Sequence, residues 1–189
     1  MPRKLRHIPE GGSLVEVTCR TIQSRLLLTP RPFVREIVIG ILARAKQLYP
    51  VQFICFTFVS NHMHALAWCE DAHRLSEFMG YVNSNLAREV GRLADWKEKF
   101  WGRRYQSIVV SGEEAAQVER LRYHLAHGVK EGLVDQVKRW PGVHFAKSIL
   151  GGKPLKGLWF NRTAEFAAKQ RGEDFGRLKY AEEEELVLS

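Results

Sequence analysis

The chain has 189 residues, 45% hydrophobic and 26% charged, with a formal net charge of +8 and a pI of about 9.6. This balance fits one compact domain with a substantial core and room for an appended tail. No apolar run is long enough to span a bilayer, and the charged N-terminus lacks the apolar stretch of a signal peptide, so no membrane association is expected. Cys19, Cys55 and Cys69 are odd in number, far apart and set in apolar strand-like contexts, which predicts buried free thiols in a reducing cytoplasm. The positive excess favours a polyanionic partner, of which nucleic acid is the commonest.

Residues 1–12 carry Arg3, Lys4 and Arg6, a basic arm that fits phosphate contact or a solvated terminus equally well. Residues 13–22 alternate apolar and polar side chains and predict strand one. Pro30 and Pro32 open a helix over 33–49, with Ile37, Ile41, Ala45 and Leu48 at helical spacing and Pro50 as its stop. Strand two covers 51–59 and strand three 62–69. Ser60-Asn61 between them forms either a tight turn or a kink in one bent strand. A second helix follows over about 73–95, with Leu75, Phe78, Met79, Val82, Leu86, Val90 and Leu93 as its apolar stripe. Arg88 and Arg92 form a basic i,i+4 pair on it.

Residues 96–104 (WKEKFWGRR) bring Lys97, Lys99, Arg103 and Arg104 among Trp96, Phe100 and Trp101. Aromatics beside cations stack single-stranded bases, and they also plug cores; both readings stand. Strand four covers 105–111 and a third helix 113–134. The resulting order β-α-β-β-α-β-α predicts an α+β, ferredoxin-like antiparallel sheet with helices on one face, as a domain over residues 1–142. Residues 143–189 read as a C-terminal extension, packed on the domain or partly irregular, and the acidic run 182–185 reads as solvated.

The centre of strand three is His62-Met63-His64. Side chains alternate along a strand, so both imidazoles share a face and Met63 takes the other. Two such nitrogens are half of a divalent-metal site, although the spacing alone fits a hydrogen-bonded structural pair as well. On the third helix Tyr123 and His127 are four residues apart and share a face. If that face covers the His pair, a phenol and a third nitrogen meet one cation, expected as Mg²⁺ or Mn²⁺. A phenolic oxygen activated in this way can attack a phosphodiester. Taken alone, Tyr123 fits a packed core aromatic better.

The ordered set of Gly11-Gly12, Asn61-His62-Met63-His64, Phe100 to Tyr105 (FWGRRY) and 123–134 (YHLAHGVKEGLV) resembles the single-tyrosine HUH transposases, and among them the REP-associated tyrosine transposases. The resemblance covers about residues 10–145. It implies that His62 and His64 hold the metal and that Tyr123 is the nucleophile. His127 then stands where the family often has Asn or Gln as a further ligand. The chain departs from the family at His127-Gly128, where Asn-Pro is common, and at Ser60, where Pro is frequent. The implied activity is nicking and rejoining of single-stranded, hairpin-bearing DNA through a 5′-phosphotyrosine.

Candidates for DNA backbone contacts are Arg3, Lys4, Arg6, Arg88, Arg92, Lys97, Lys99, Arg103 and Arg104. A cytoplasmic, nucleoid-associated protein is expected, as a monomer or homodimer. The alternative is a non-catalytic DNA-binding regulator on the same fold. A nicking initiator of replication is a third reading, which the short chain disfavours.

Overall fold

The computed structural model describes residues 5–173 and 176–188; Arg3 and Lys4 lie outside them. Strands β1 (Ser13–Arg20), β2 (Gln52–Val59), β3 (His62–Cys69) and β4 (Gln106–Val109) form an antiparallel sheet in the order β2-β3-β1-β4. This is the strand order of the ferredoxin-like arrangement. Ser60 and Asn61 make a two-residue turn between β2 and β3, which resolves the choice between turn and kink.

Alternation sorts the two faces. In β1, Val15, Val17 and Cys19 pair in register with Ala67, Ala65 and Met63 of β3. These residues pack beneath helices α1 (Pro32–Leu48) and α2 (Ala72–Leu93) as one buried cluster. Asp71 caps α2, accepting from the backbone N–H of His73 and of Arg74 at 2.8 Å each. The opposite face carries Glu16, Thr18 and Arg20, paired with Leu66, His64 and His62. Over that face lies helix α3 (Glu114–Lys130), tied down where the Thr57 hydroxyl donates to the His124 carbonyl at 3.2 Å. The helix ends at Lys130, four residues short of the expected 134. Gly132 takes φ +66°, and the Leu133 N–H closes back on the Gly128 carbonyl.

The extension is ordered. Residues 143–145 run along the β2 edge, where the Phe58 N–H donates to the Val143 carbonyl and the Phe145 N–H to the Phe56 carbonyl. Backbone groups at a sheet edge are thereby satisfied. Helix α4 (Ala146–Gly151), β5 (Leu155–Phe160), α5 (Arg162–Gln170) and β6 (Ala181–Leu186) follow, with β5 and β6 paired antiparallel against α1. The approach is close at Gly40 and Gly157: a Cβ on either would overlap the other segment's backbone. Leu155, Phe160 and Leu186 join the main core.

The acidic run 182–185, expected to be solvated, is most of β6. Strand alternation turns Glu184 inward to Arg44 (3.0 Å) and Gln47 (2.6 Å), while Glu183 and Glu185 pair outward with Lys156. All three cysteines are free and buried, as read from the sequence. No helix among the described residues is long and apolar enough to cross a membrane.

Candidate metal centre and its surroundings

His62 and His64 leave β3 on the α3 side of the sheet, and His127 comes down from α3 to meet them. One ring nitrogen from each lies within 4.8 Å of the others, and all three residues are buried. The Nε2 atoms of His62 and His127 are 3.0 Å apart. Two nitrogens bound at right angles to one cation at ~2.1 Å would stand ~3.0 Å apart, so this spacing suits a shared ion.

Neighbours orient each ring. Asn61 Oδ1 accepts from His62 Nδ1 at 2.6 Å, which leaves His62 Nε2 bare and aimed at His127. His64 Nδ1 is met by the Thr18 hydroxyl at 3.2 Å and by Glu16 Oε1 at 3.6 Å, which leaves its Nε2 for a cation. His127 Nδ1 is buried with no hydrogen-bond partner in the protein. Burial and the neighbouring imidazoles push the pKa of His62 down to about 3, and burial also lowers that of His127. Both rings are therefore neutral at pH 7, as metal ligation requires.

Tyr123 is half-buried beside the cluster. Its ring centroid is 6.0 Å from that of His64 and 5.5 Å from that of His127, and Lys130 Nζ stands 4.9 Å from the ring centre.

Sequence reasoning overlooked Glu16. Its side chain is buried, and it receives three partners: His64, His124 Nε2 at 3.6 Å and Arg120 at 3.3 Å. The hydrogen bond from His64 and the charges around it hold its carboxyl below the usual range. Glu16 thus links His64 of β3 to the helix that carries Tyr123. His124 is fully buried at 0% exposure, and burial pushes its pKa down to about 4. The alternation of Glu16 and Thr18 in strand one was the available signal. The register that sets them opposite Leu66 and His64 was not.

The basic candidates separate. Arg103 and Arg104 line a cleft with Arg20, Thr18 and Gln106 on the His side, and the same two line a second cleft with Lys99 and Trp101 toward α2. Arg6 is partly buried, donating to the Tyr105 carbonyl at 2.9 Å. Arg88 and Arg92 lie on α2, on the far side of the sheet from the histidines, and Arg92 pairs with Glu165 at 3.4 Å. Lys97 is exposed, 3.8 Å from Asp95. Trp96 and Trp101 pack on the core, the second of the two readings for that loop, and the Trp101 N–H donates to the Asn83 carbonyl at 2.8 Å. Tyr105 is buried at 4% exposure. His144 accepts from the Ala146 N–H at 3.0 Å.

Among solved structures, the chain is similar to a REP-associated tyrosine transposase bound to a REP hairpin. The identity is 17%, the match covers 80% of this chain and 87% of that one, and the TM-score is 0.60. A candidate transposase from Deinococcus radiodurans R1 matches at 15% identity over 65% of this chain and 95% of that one, with a TM-score of 0.44. No curated protein matches the chain in sequence. The family model described as transposase IS200-like matches residues 15–123, more than half of the 189, and the chain belongs to that family.

Proposed function

We propose that the protein nicks and rejoins single-stranded, hairpin-bearing DNA, with Tyr123 as the nucleophile and His62, His64 and His127 as the metal ligands. The observation that carries this reading is the convergence of three imidazoles, with ligand atoms within 4.8 Å of one another, beside a half-buried tyrosine. A buried trio of imidazoles whose ring nitrogens converge within 4.8 Å suits a cation better than it suits packing. The hairpin-bound relative supports the class of substrate.

A cation held by the three rings, Mg²⁺ or Mn²⁺, supplies positive charge to the non-bridging oxygens of the scissile phosphate. The chain's own groups do the rest. The Tyr123 oxygen attacks phosphorus and loses its proton. The bond from phosphorus to the 3′ oxygen breaks, that oxygen takes up a proton, and the 5′-phosphate stays on the tyrosine. Attack by another 3′-OH reverses these steps and rejoins the strands without an external energy source. Lys130, standing over the Tyr123 ring, adds cationic charge where the phosphate arrives. Glu16 and Thr18 hold the His64 ring, and Asn61 holds that of His62. One chain can supply every participant, so the site is compatible with a monomer and with a homodimer.

The test is incubation of the protein with end-labelled hairpin oligonucleotides, with and without Mn²⁺, followed by denaturing electrophoresis. A metal-dependent covalent adduct, absent from Tyr123→Phe, supports the proposal. Salt-sensitive binding with no adduct under any divalent metal replaces it with the non-catalytic regulator.

A further inference from the structure

The C-terminal end of α3 is propped over the sheet by Trp140. Its ring is buried, and its indole N–H donates to the Phe58 carbonyl of β2 at 3.1 Å. Gly128 of α3 lies against the ring: a Cβ there would stand 3.4 Å from Trp140 Cε3. Gly142 closes on the nitrogen edge, where a Cβ would come within 2.6 Å of Nε1. Two glycines thus enclose one rigid, planar side chain. A glycine inside a helix is less favourable than alanine, so Gly128 calls for a packing reason, and Trp140 supplies it.

The wedge stands beside the His cluster in both elements. Gly128 directly follows His127, and Phe58 directly precedes Val59, whose partner in register on β3 is His62. Trp140 therefore spans the gap between helix and sheet one residue away from the 3.0 Å approach of His62 Nε2 to His127 Nε2. The segment behind the ring is pinned to β2, where the Phe58 N–H donates to the Val143 carbonyl at 3.0 Å and the Phe145 N–H to the Phe56 carbonyl at 3.1 Å. On the helix side, the N–H groups of Leu133 and Val134 both return to the Gly128 carbonyl, at 3.0 and 3.3 Å. Both ends of the wedge are fixed to backbone, so the indole between them sets the gap.

We propose that Trp140 is a positioning residue for the metal centre, setting the height of α3 over the sheet at which His127 meets His62 and His64. The inference rests on the proposed metal site and adds a residue from beyond the third helix that tunes it. Ligand atoms must sit within about 0.2 Å of their proper distance from a bound ion, so a gap reset by a smaller side chain weakens binding even in a folded protein. Phenylalanine at position 140 would be shorter than the indole and would leave the Phe58 carbonyl without this donor.

The test is Mn²⁺ titration calorimetry on the wild type, Trp140→Phe and Gly128→Val, with Phe145→Leu as a control that loses core packing on the same segment. Circular dichroism confirms folding, and thermal melts rank stability. Trp140→Phe should lose about 10–100-fold in Mn²⁺ affinity, as for other groups that orient metal ligands. The visible absorption of bound Co²⁺, which reports ligand geometry, should shift with it. Gly128→Val, which presses on the indole from the helix side, should do the same. Phe145→Leu should melt at a lower temperature yet keep the wild-type affinity and spectrum. Wild-type affinity and spectrum in folded Trp140→Phe or Gly128→Val, or an equal loss in Phe145→Leu, overturns the positioning role and leaves the metal site intact. A wild type that binds no Mn²⁺ overturns the metal site, and the positioning role falls with it.

Discussion

The Nε2 atoms of His62 and His127 face one another at 3.0 Å across the gap between sheet and helix. Two neutral imidazoles held so close need either a proton or a cation between them. Divalent metal should therefore stabilise the fold, by about 2.7 kcal/mol when its concentration is 100 times its Kd. Thermal melts with and without Mn²⁺ check this: the wild type should gain stability, whereas His62→Ala and His127→Ala should not. Because the ligand set is all nitrogen, Mn²⁺ should act at lower concentration than Mg²⁺.

Glu16 supplies a second prediction. Its carboxylate touches His64 on the sheet and His124 and Arg120 on the helix. Glu16→Gln keeps the shape and removes the charge. Partners of this kind, one step removed from a metal, typically account for about 10–100-fold in affinity. Titration calorimetry with Mn²⁺ should show a loss in that range, while far-ultraviolet circular dichroism stays unchanged.

Acid should destabilise the metal-free protein. His62 and His124 have pKa values pushed down to about 3 and about 4, below the ordinary 6.5. Below pH 6.5 the unfolded chain takes up protons that the folded chain refuses, so stability falls as pH drops toward 4. Glu16 acts in the same direction, since its lowered carboxyl contributes stability that is lost as pH falls through its folded pKa. Urea midpoints should drop between pH 7.5 and pH 5.0, with a combined loss from the two histidines on the order of 4 kcal/mol. His124→Gln should flatten the dependence.

The extension makes its own prediction. Gly157 meets the backbone of Gly40 with no room for a Cβ. Gly157→Val should destabilise the protein by about 3 kcal/mol through overpacking. An exposed control, Gln170→Ala at the end of α5, should change stability by less than about 0.5 kcal/mol.

The four strands and three main helices were legible because each carries a clean period: alternation in residues 13–20 and helical spacing from Leu75 to Leu93. The His pair was legible for the same reason, since strand alternation puts His62 and His64 on one face. Glu16 was not, because its role depends on pairing with a strand some fifty residues away. β6 was hidden because four consecutive glutamates mask an alternation that becomes meaningful only when Arg44 and Gln47 of α1 lie beneath it. The turn at Gln23 and Ser24, where both residues take positive φ, carries no glycine to announce it.

The most direct measurement is mass-spectrometric mapping of the peptide that carries DNA after reaction with a hairpin oligonucleotide in Mn²⁺. The account predicts a 5′-phosphorylated nucleotide on Tyr123, and no linked peptide from Tyr123→Phe. A nucleotide on any other residue, or no adduct from a protein that binds both metal and hairpin, would contradict it.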